Sequence, residues 1–561
     1  MNFNTTTSYF VNLSDVVLRI SPEETIRENA KNHLILGDYV KYLGEEQDDW
    51  VFVRSRRNNG WLKKEYLTDK RLLEINFVDI GQGDSCHIVT PDDEIILIDA
   101  GEGIGLHGNG GDNMARFINW RYNLRNRKVA GVDGVTKNDE GVKVPKKIDY
   151  AIISHPDLDH YYGFYTIFQN KKLLIDKVCH NGIVERSTKG VDTKKWMFDL
   201  GRKVPIKPRQ KIYHLWDTVL TNKEMHDVLD ENKKPRKKYL KTLIAAKENN
   251  KNVKFEFLDT QNKFLDHYKA TNPLKLEILA PITEKIHFEN KERSCLIQLG
   301  ANGITKNGHS IVFKLHYGKL KVLLGGDLNS ESQDYIAKHY AKTDKNLSDL
   351  EKSIYKLEYK LAGKNLSTIE RRELKQTLEE NQLKLDLMIS KLRGFFRCDI
   401  AKACHHGASD VLDSFLSGIH PIATIISSGD NESHSHPRPD ALGAFGKNSR
   451  GKRPLIFSTE LARSTNEFTY PAKFYNIIKK IDTLIQDATS EKEKEHQMER
   501  MNRLKDSNVA KYGMITLRTD GERVIIAQKL EKKRSDAQKW DIYHLNWNEH
   551  LEEFEYRSKG H

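Results

Sequence analysis

The stretch His155-Pro156-Asp157-Leu158-Asp159-His160 places two imidazoles and two carboxylates within six residues. It directly follows the run 148–153 (IDYAII), whose β-branched and aromatic residues are typical of a buried strand. A polar cluster after a strand lies where layered α/β folds usually build their sites. These residue types can hold two divalent cations and leave a coordination position for water. The alternative is a solvated turn, because Pro, Asp and His are all common in turns.

Further polar groups each follow an apolar run of the chain. They are Asp99-Ala100-Gly101, Gly326-Asp327, His405-His406-Gly407, and Ser428-Gly429-Asp430-Asn431 with His434 and His436-Pro437. Several strands would therefore deliver His and Asp side chains to one edge of a sheet. Without a shared site, the same pattern would need several independent coincidences. The sequence thus favours a metal centre.

Size and composition indicate a large soluble protein of two or three units. The chain has 561 residues, of which 38% are hydrophobic and 30% are charged. No run approaches the roughly 18 uninterrupted apolar residues of a membrane helix, and the N-terminus lacks the pattern of an export signal. The five cysteines are scattered without a CxxC pair. We therefore expect reduced thiols and a cytoplasmic location, with no membrane partner.

The net charge of +12 favours a polyanionic partner, since neutralising phosphates releases counterions. We expect this partner to be nucleic acid. Many of the lysines lie on predicted helix faces, where the alternative is simple solvation.

Residues 1–70 are predicted to form a small β-rich domain. Short alternating segments separated by turn signals cover 16–22, 36–43, 50–53 and 59–67, a spacing typical of a small barrel. The segments LRISP, GDYVKYL and GWL, followed by YL, resemble a bacterial SH3-type domain. That resemblance implies binding of a peptide or glycan, or docking. Without an export signal, docking to a protein partner is expected.

Residues 345–394 are predicted to form an inserted antiparallel helical hairpin. Its first helix carries a heptad seam, and a capping box from Ser367 to Glu370 starts the second. The seams consist of Leu347, Leu350, Ile354, Leu357 and Leu361, and then Leu374, Leu378, Leu385 and Leu392. We expect a spacer or a homodimer contact. The flanking parts, 71–344 with basic insertions and 395–561 with a charged helix near 472–505 and a β-hairpin at 514–527, would form one domain.

These motifs together resemble the metallo-β-lactamase fold, and in particular the soluble hydrolase domain of the ComEC competence family. The matching segments are DIGQGD at 79–84, LIDAG at 97–101, SHPDLDHYYG at 154–163, Gly326-Asp327, HHG at 405–407 and 428–437. The resemblance implies a four-layer αββα sandwich, here with an inserted helical hairpin and a small SH3-like β-barrel domain before it. The membrane channel of the full competence protein is absent, so DNA import is not expected.

The resemblance also implies a ligand set for two divalent ions. His155 and Asp157 would hold one ion, Asp159 and His160 the other, with Asp327 as bridging carboxylate and His405 as the remaining ligand. Asp99 would orient the histidines. The common motif of the superfamily has histidine where this chain has Asp157, which shifts the preference from Zn²⁺ towards Mn²⁺ or Mg²⁺.

A second group of residues is expected to act on the substrate. Asp159, His406 and His436 are the predicted catalytic residues, and Ser428, Asn431 and His434 are the predicted substrate contacts. The sequence leaves open which of His405 and His406 binds metal.

Three functions are compatible with this pattern. The first is a soluble phosphodiesterase with two metal ions, a DNA nuclease, that uses a hydroxide bridging the ions. The second is hydrolysis of a small ester, amide or nucleotide, since fold does not fix function. The third is a scaffold that recruits partners through the SH3-like domain and the hairpin. A nuclease with a docking domain would suit a toxin or an antiviral effector.

Overall fold

A computed structural model describes most of the chain. The described residues are 2–24, 29–56, 58–102, 113–122, 124, 144–192, 194–207, 212–232, 237–363, 366–429, 435–459, 472–509, 514–530 and 533–558. Among them, no helix is both long and apolar enough to cross a membrane.

The elements of the first part of the chain are mostly strands. The N-terminal ones are β1 (Ser8–Val11), β2 (Asp15–Arg19), β3 (Ala30–Ile35), β4 (Tyr39–Gln47), β5 (Trp50–Ser55), β6 (Asn58–Lys63) and β7 (Leu67–Thr68). Next come β8 (Leu73–Phe77), β9 (Ser85–Val89), β10 (Ile95–Ala100), α1 (Asn113–Arg121), β11 (Lys146–Ile152), α2 (Leu158–Tyr161), α3 (Gly163–Gln169) and β12 (Leu173–His180). Residues 203–297 add β13 (Lys203–Lys207), β14 (Ile212–Leu215), α4 (Asn222–Glu231), α5 (Lys238–Asn249), β15 (Lys254–Phe257), β16 (Leu274–Ala280), β17 (Glu284–Phe288) and β18 (Lys291–Ile297).

Helices are more frequent in the second part. It begins with α6 (Asn302–Gly308), β19 (Val312–Tyr317), β20 (Leu320–Leu324), α7 (Ser330–Ala341), α8 (Leu347–Ala362), α9 (Thr368–Phe396) and β21 (Ile400–Lys402). It continues with α10 (Asp413–Ile419), β22 (Ala423–Ile426), α11 (Pro439–Asn448), β23 (Leu455–Ser458), α12 (Ala472–Gln486), α13 (Glu491–Val509), β24 (Ile515–Thr519), β25 (Val524–Lys529), β26 (Trp540–Asn548) and β27 (Glu553–Tyr556).

The N-terminal strands form one antiparallel sheet in the order β3-β2-β6-β5-β4-β1-β7. Its core is separate from the rest and includes Leu18, Val40 and Val51. A second apolar cluster joins Ile35 of this sheet to Ile525 on β25. The short strands predicted for this region are therefore present, while closure into an SH3-like barrel stays a prediction.

Two larger sheets pack face to face in the body of the protein. One has ten strands in the order β15-β12-β11-β10-β9-β8-β24-β25-β26-β27, and the other has six, β16-β19-β20-β21-β22-β23. Ile152 of the first and Phe313 of the second share the core between them. On the outer faces, Phe164 of α3 packs against the first sheet and Ile336 of α7 against the second. The layers therefore run helix, sheet, sheet, helix.

Parallel strands in both sheets determine where the polar motifs lie. Strands β10, β11, β12 and β15 are parallel to one another, as are β20, β21, β22 and β23. Because carboxyl ends of parallel strands share an edge, the segments after β11, β20 and β21 come together there. The four-stranded sheet β13-β14-β18-β17 is a separate addition.

The two helices predicted for residues 345–394 are confirmed. Ser367 and Glu370 form the reciprocal capping box at the start of α9. Leu350 of α8 and Leu385 of α9 bury their side chains in the same cluster as the outer helices of the six-stranded sheet. The β-hairpin near the C-terminus is also present, as β24 and β25. The charged helix expected near 472–505 is instead two helices, because Ser490 caps α13 by accepting from the Glu493 amide.

Candidate metal centre

Three side chains from three segments meet at the shared edge of the two sheets. Oδ2 of Asp327 lies 3.1 Å from Nε2 of His160 and 3.1 Å from Nε2 of His406. The two Nε2 atoms are 3.2 Å apart. All three side chains are almost fully buried. We call Asp327, His160 and His406 the central triad.

The other nitrogen of His160 is held by a carboxylate. Nδ1 of His160 donates to Oδ2 of Asp99 at 2.8 Å. Asp99 also accepts from the amide and the hydroxyl of Ser154, at 2.8 and 2.6 Å. With a proton on Nδ1, the neutral form of His160 carries its lone pair on Nε2, the atom that faces Asp327. The hydrogen bond from His160 to Asp99 is the kind of contact expected of a residue that orients a metal-binding histidine.

His406 is held in the same way from its own side. Its Nδ1 donates to the carbonyl oxygen of Ser427 at 3.1 Å and lies 3.2 Å from Oδ1 of Asp84. Asp84 in turn forms a buried ion pair with Lys402. In the neutral form of His406, the lone pair therefore lies on Nε2, which also faces Asp327.

Asp84 and Lys402 were not predicted as site residues. Asp84 is the last residue of the GQGD motif in the sequence. The preceding Gly83 allows this turn to pack closely against the segment that contains Asp159. Gly83 has a φ of +108°, and a Cβ there would collide with the backbone oxygen of Asp159. Lys402 is the last residue of the short strand β21, and nothing in the sequence marks it as a partner of Asp84.

The central triad fits a cation. Two lone pairs and a carboxylate oxygen face one another at about hydrogen-bond distance, an arrangement that needs a positive charge or a proton between them. Within the described part of the chain, Oδ1 of Asp327 is buried without a hydrogen-bond partner. Burial alone would lower the pKa of His160, but Asp327 and Asp99 raise it well above its usual range. Asp84, His160, Asp327 and His406 together form a group that could hold a metal ion, and imidazole with carboxylate suits Zn²⁺ or Mn²⁺.

Asp159 lies at the rim of the central triad. Its Oδ2 is 3.5 Å from Nε2 of His406, and its Oδ1 is 4.0 Å from Nε2 of His160. Burial would raise the pKa of Asp159, but the two histidines bring it well below the usual value. The side chain is 23% exposed, so a charged carboxylate faces both the triad and solvent.

His155 has the tautomer that a metal ligand needs. Its Nδ1 lies 3.0 Å from the hydroxyl of Ser154 and 3.2 Å from the hydroxyl of Ser310. Those hydroxyls donate their protons to Asp99 and to the carbonyl oxygen of Asn307. Nδ1 of His155 must therefore donate, which leaves a lone pair on Nε2. Burial, followed by the neighbouring His160, holds the pKa of His155 well below its usual range.

Asp157 departs from the expectation for a metal ligand. Oδ1 of Asp157 is 2.5 Å from Nζ of Lys306. The carboxylate is thus neutralised by a lysine, and Asp157 does not belong to the group around Asp327.

The adjacent histidines His405 and His406 occupy different positions. Both have left-handed backbone conformations, with φ of 47° and 52°, which point their rings in separate directions. Nε2 of His405 is 3.9 Å from Oδ2 of Asp327, and its Nδ1 lies 2.8 Å from Oδ2 of Asp410. His406 therefore takes the inner position that was assigned to His405. His406 was predicted to be a catalytic residue; its ring is 1% exposed and faces Asp327, which is the position of a metal ligand.

The residues predicted to touch the substrate are only partly brought together. The ring of His436 lies 5.9 Å from that of His405 and 6.3 Å from that of His406, at the outer rim. Ser428, a predicted substrate contact, is fully buried, and its hydroxyl bonds to that of Ser458 at 3.0 Å. Asn431 and His434 lie outside the described residues.

Comparison with known proteins adds no assignment. No protein-family model matches the sequence, and no curated protein matches it either.

Proposed function

We propose that this protein is a metal-dependent phosphodiesterase, and specifically a DNA nuclease, built on the metallo-β-lactamase fold. The observation that carries the proposal is the central triad, in which Nε2 of His160, Nε2 of His406 and Oδ2 of Asp327 converge with both imidazole tautomers fixed. Such a group favours a divalent cation over a purely structural role. The order of layers and the place of the motifs after parallel strands support the fold assignment.

A divalent cation at the triad would lower the pKa of a water and offset the negative charge that develops on a phosphate. The protein's own residues have separate tasks around it. Asp99 and the carbonyl oxygen of Ser427 keep the Nε2 atoms of His160 and His406 aimed at Asp327. Asp159, held anionic by His160 and His406, can accept a hydrogen bond from the attacking water and orient it.

The leaving oxygen needs a proton, and the outer histidines can supply it. His405 is 23% exposed. Burial would lower its pKa, but Asp327 and Asp410 raise it. His436 lies beside it. We assign proton donation to this pair.

Charge supports nucleic acid as the substrate. The net charge of +12 attracts a phosphate backbone. We propose that the N-terminal sheet, which has an apolar core of its own, docks a protein partner. We propose DNA as the favoured polymer. Hydrolysis of a small phosphodiester is the alternative that the same chemistry allows.

The test is cleavage of labelled single- and double-stranded DNA and RNA with Mn²⁺, Mg²⁺ or Zn²⁺. The wild type is compared with a double variant, Asp159→Ala with His160→Ala. A matched control is Asp15→Ala with His33→Ala, which removes a His–Asp pair (3.0 Å) in the N-terminal sheet. We expect metal-dependent cutting by the wild type and the control and none by the site variant. If the wild type binds metal but cuts none of these polymers, the nuclease proposal is contradicted. Hydrolysis of bis(p-nitrophenyl) phosphate by the same protein would then support a small phosphodiester as the substrate.

A further inference from the structure

A buried lysine lies beside the carboxylate that was expected to hold a second metal ion. Nζ of Lys306 is 2.5 Å from Oδ1 of Asp157 and 3.3 Å from the carbonyl oxygen of Pro156. A second carboxylate, Glu185, lies 3.4 Å away. The side chain of Lys306 is 12% exposed. Its ammonium group is thus enclosed between two acidic side chains.

The other oxygen of Asp157 is also engaged. In the amide orientation that satisfies both its polar atoms, Asn307 donates to Oδ2 of Asp157 at 2.9 Å and to the carbonyl oxygen of Gly303 at 3.2 Å. Lys306 and Asn307 are neighbours on α6, so a single helix engages both oxygens of this carboxylate.

We propose that the ammonium of Lys306 takes the place of a second divalent cation, so that the site binds one metal ion, at the central triad. This inference rests on the proposed function in one respect, since it takes the triad to be a metal site.

Electrostatics argue for a single ion. A divalent cation beside Asp157 would lie next to a buried ammonium, where repulsion is weakly screened. If the divalent cation displaced Lys306, the ammonium would lose both of its carboxylate partners and would remain buried without a counter-charge. Burial would lower the pKa of Lys306, but Asp157 and Glu185 raise it, which keeps the ammonium charged. Beside the central triad, the cation Lys402 pairs with Asp84, which contacts Nδ1 of His406, and not with the three triad atoms themselves.

The test counts ions on the full-length protein. Metal-free protein is loaded with Mn²⁺ or Zn²⁺, desalted, and measured by elemental analysis, with calorimetric titration for stoichiometry. We expect one ion per chain for the wild type and for Lys306→Arg, which keeps the charge. Lys306→Met leaves Asp157 and Glu185 without their cation, and we expect it to bind two ions.

The matched control is Lys177→Met. Lys177 is 11% exposed and also lies between two carboxylates, 2.7 Å from Asp266 and 3.8 Å from Glu256. The Lys177→Met variant should still bind one metal ion per chain. Two ions or none on the wild type, or one ion on a folded Lys306→Met, would overturn the inference. If Lys306→Met does not fold, the inference is tested by the number of ions bound to the wild type and to Lys306→Arg, which should be one in each case. Ion counts do not depend on turnover, so absent nuclease activity would contradict the proposed function without affecting this test.

Discussion

The Nδ1 atom of His160 donates to Oδ2 of Asp99 across 2.8 Å, and this bond determines which nitrogen of His160 faces Asp327. Asp99 is itself fixed by the amide and hydroxyl of Ser154. Asp99 and Ser154 thus orient His160 as a metal ligand. The three residues lie on, or directly after, the neighbouring parallel strands β10 and β11.

Asp99→Asn should weaken metal binding. The asparagine keeps the shape of the side chain but loses the charge that orients and polarises His160. Such outer partners typically contribute about 10- to 100-fold in metal affinity. Competition with a chromogenic chelator measures the change. An affinity equal to that of the wild type would show that Asp99 does not support His160.

A buried acidic group outside the site predicts a pH dependence of stability. Glu74 on β8 is 2.8 Å from Nη1 of Arg518 and 3.1 Å from Nη2 of Arg121. Burial would raise the pKa of Glu74, but the two arginines bring it well below the usual value. A depressed pKa in the folded state stabilises the protein above the unfolded-state pKa, and this stability is lost as the pH falls through the folded-state pKa.

Glu74→Gln should therefore reduce the free energy of unfolding at pH 7 by about 3 kcal/mol, the cost of leaving buried arginine charge unpaired. The difference between variant and wild type should shrink as the pH falls below about 4.5, the ordinary carboxyl range. Urea unfolding at several pH values checks this. A constant difference across that range would contradict the assigned pKa shift.

Salt should control nucleic-acid binding. If the positive charge contacts phosphates, the logarithm of the binding constant falls linearly with the logarithm of salt concentration, with a slope of about −0.9 per phosphate contact on duplex DNA. Fluorescence anisotropy with labelled DNA and the cleavage-deficient variant, Asp159→Ala with His160→Ala, gives this slope. Binding that is independent of salt would rule out the phosphate backbone as the main contact.

The helical hairpin is expected to mediate a homodimer. Leu383 and Leu387, one turn apart on α9, are 62% and 55% exposed. Tyr359 on α8 is 75% exposed. A contiguous apolar patch that includes these side chains would mark an interaction surface. Leu383→Glu with Leu387→Glu should convert a dimer to a monomer without changing the metal content. Light scattering coupled to size exclusion measures the mass, and a wild-type monomer at micromolar concentration would contradict the expectation.

Much of the site could be predicted from strand ends alone. His155, His160 and Asp327 each follow an apolar run, and parallel strands bring such positions to one edge. The sequence could not separate His405 from His406, because that depends on the left-handed backbone of both residues. It also could not identify Lys306, which lies far along the chain in a segment without clear periodicity and meets Asp157 only through tertiary packing. The burial of Ser428 likewise follows from the pairing of β22 with β23.

The proposed function depends on the binding of a divalent cation by the triad of Asp327, His160 and His406. Crystals grown with Mn²⁺ or Zn²⁺, measured at the absorption edge of the metal, test it directly by anomalous scattering. We expect a strong peak at about 2.0–2.2 Å from Nε2 of both histidines and from the Asp327 carboxylate. A peak elsewhere, or none at the triad in protein exposed to saturating metal, would contradict it.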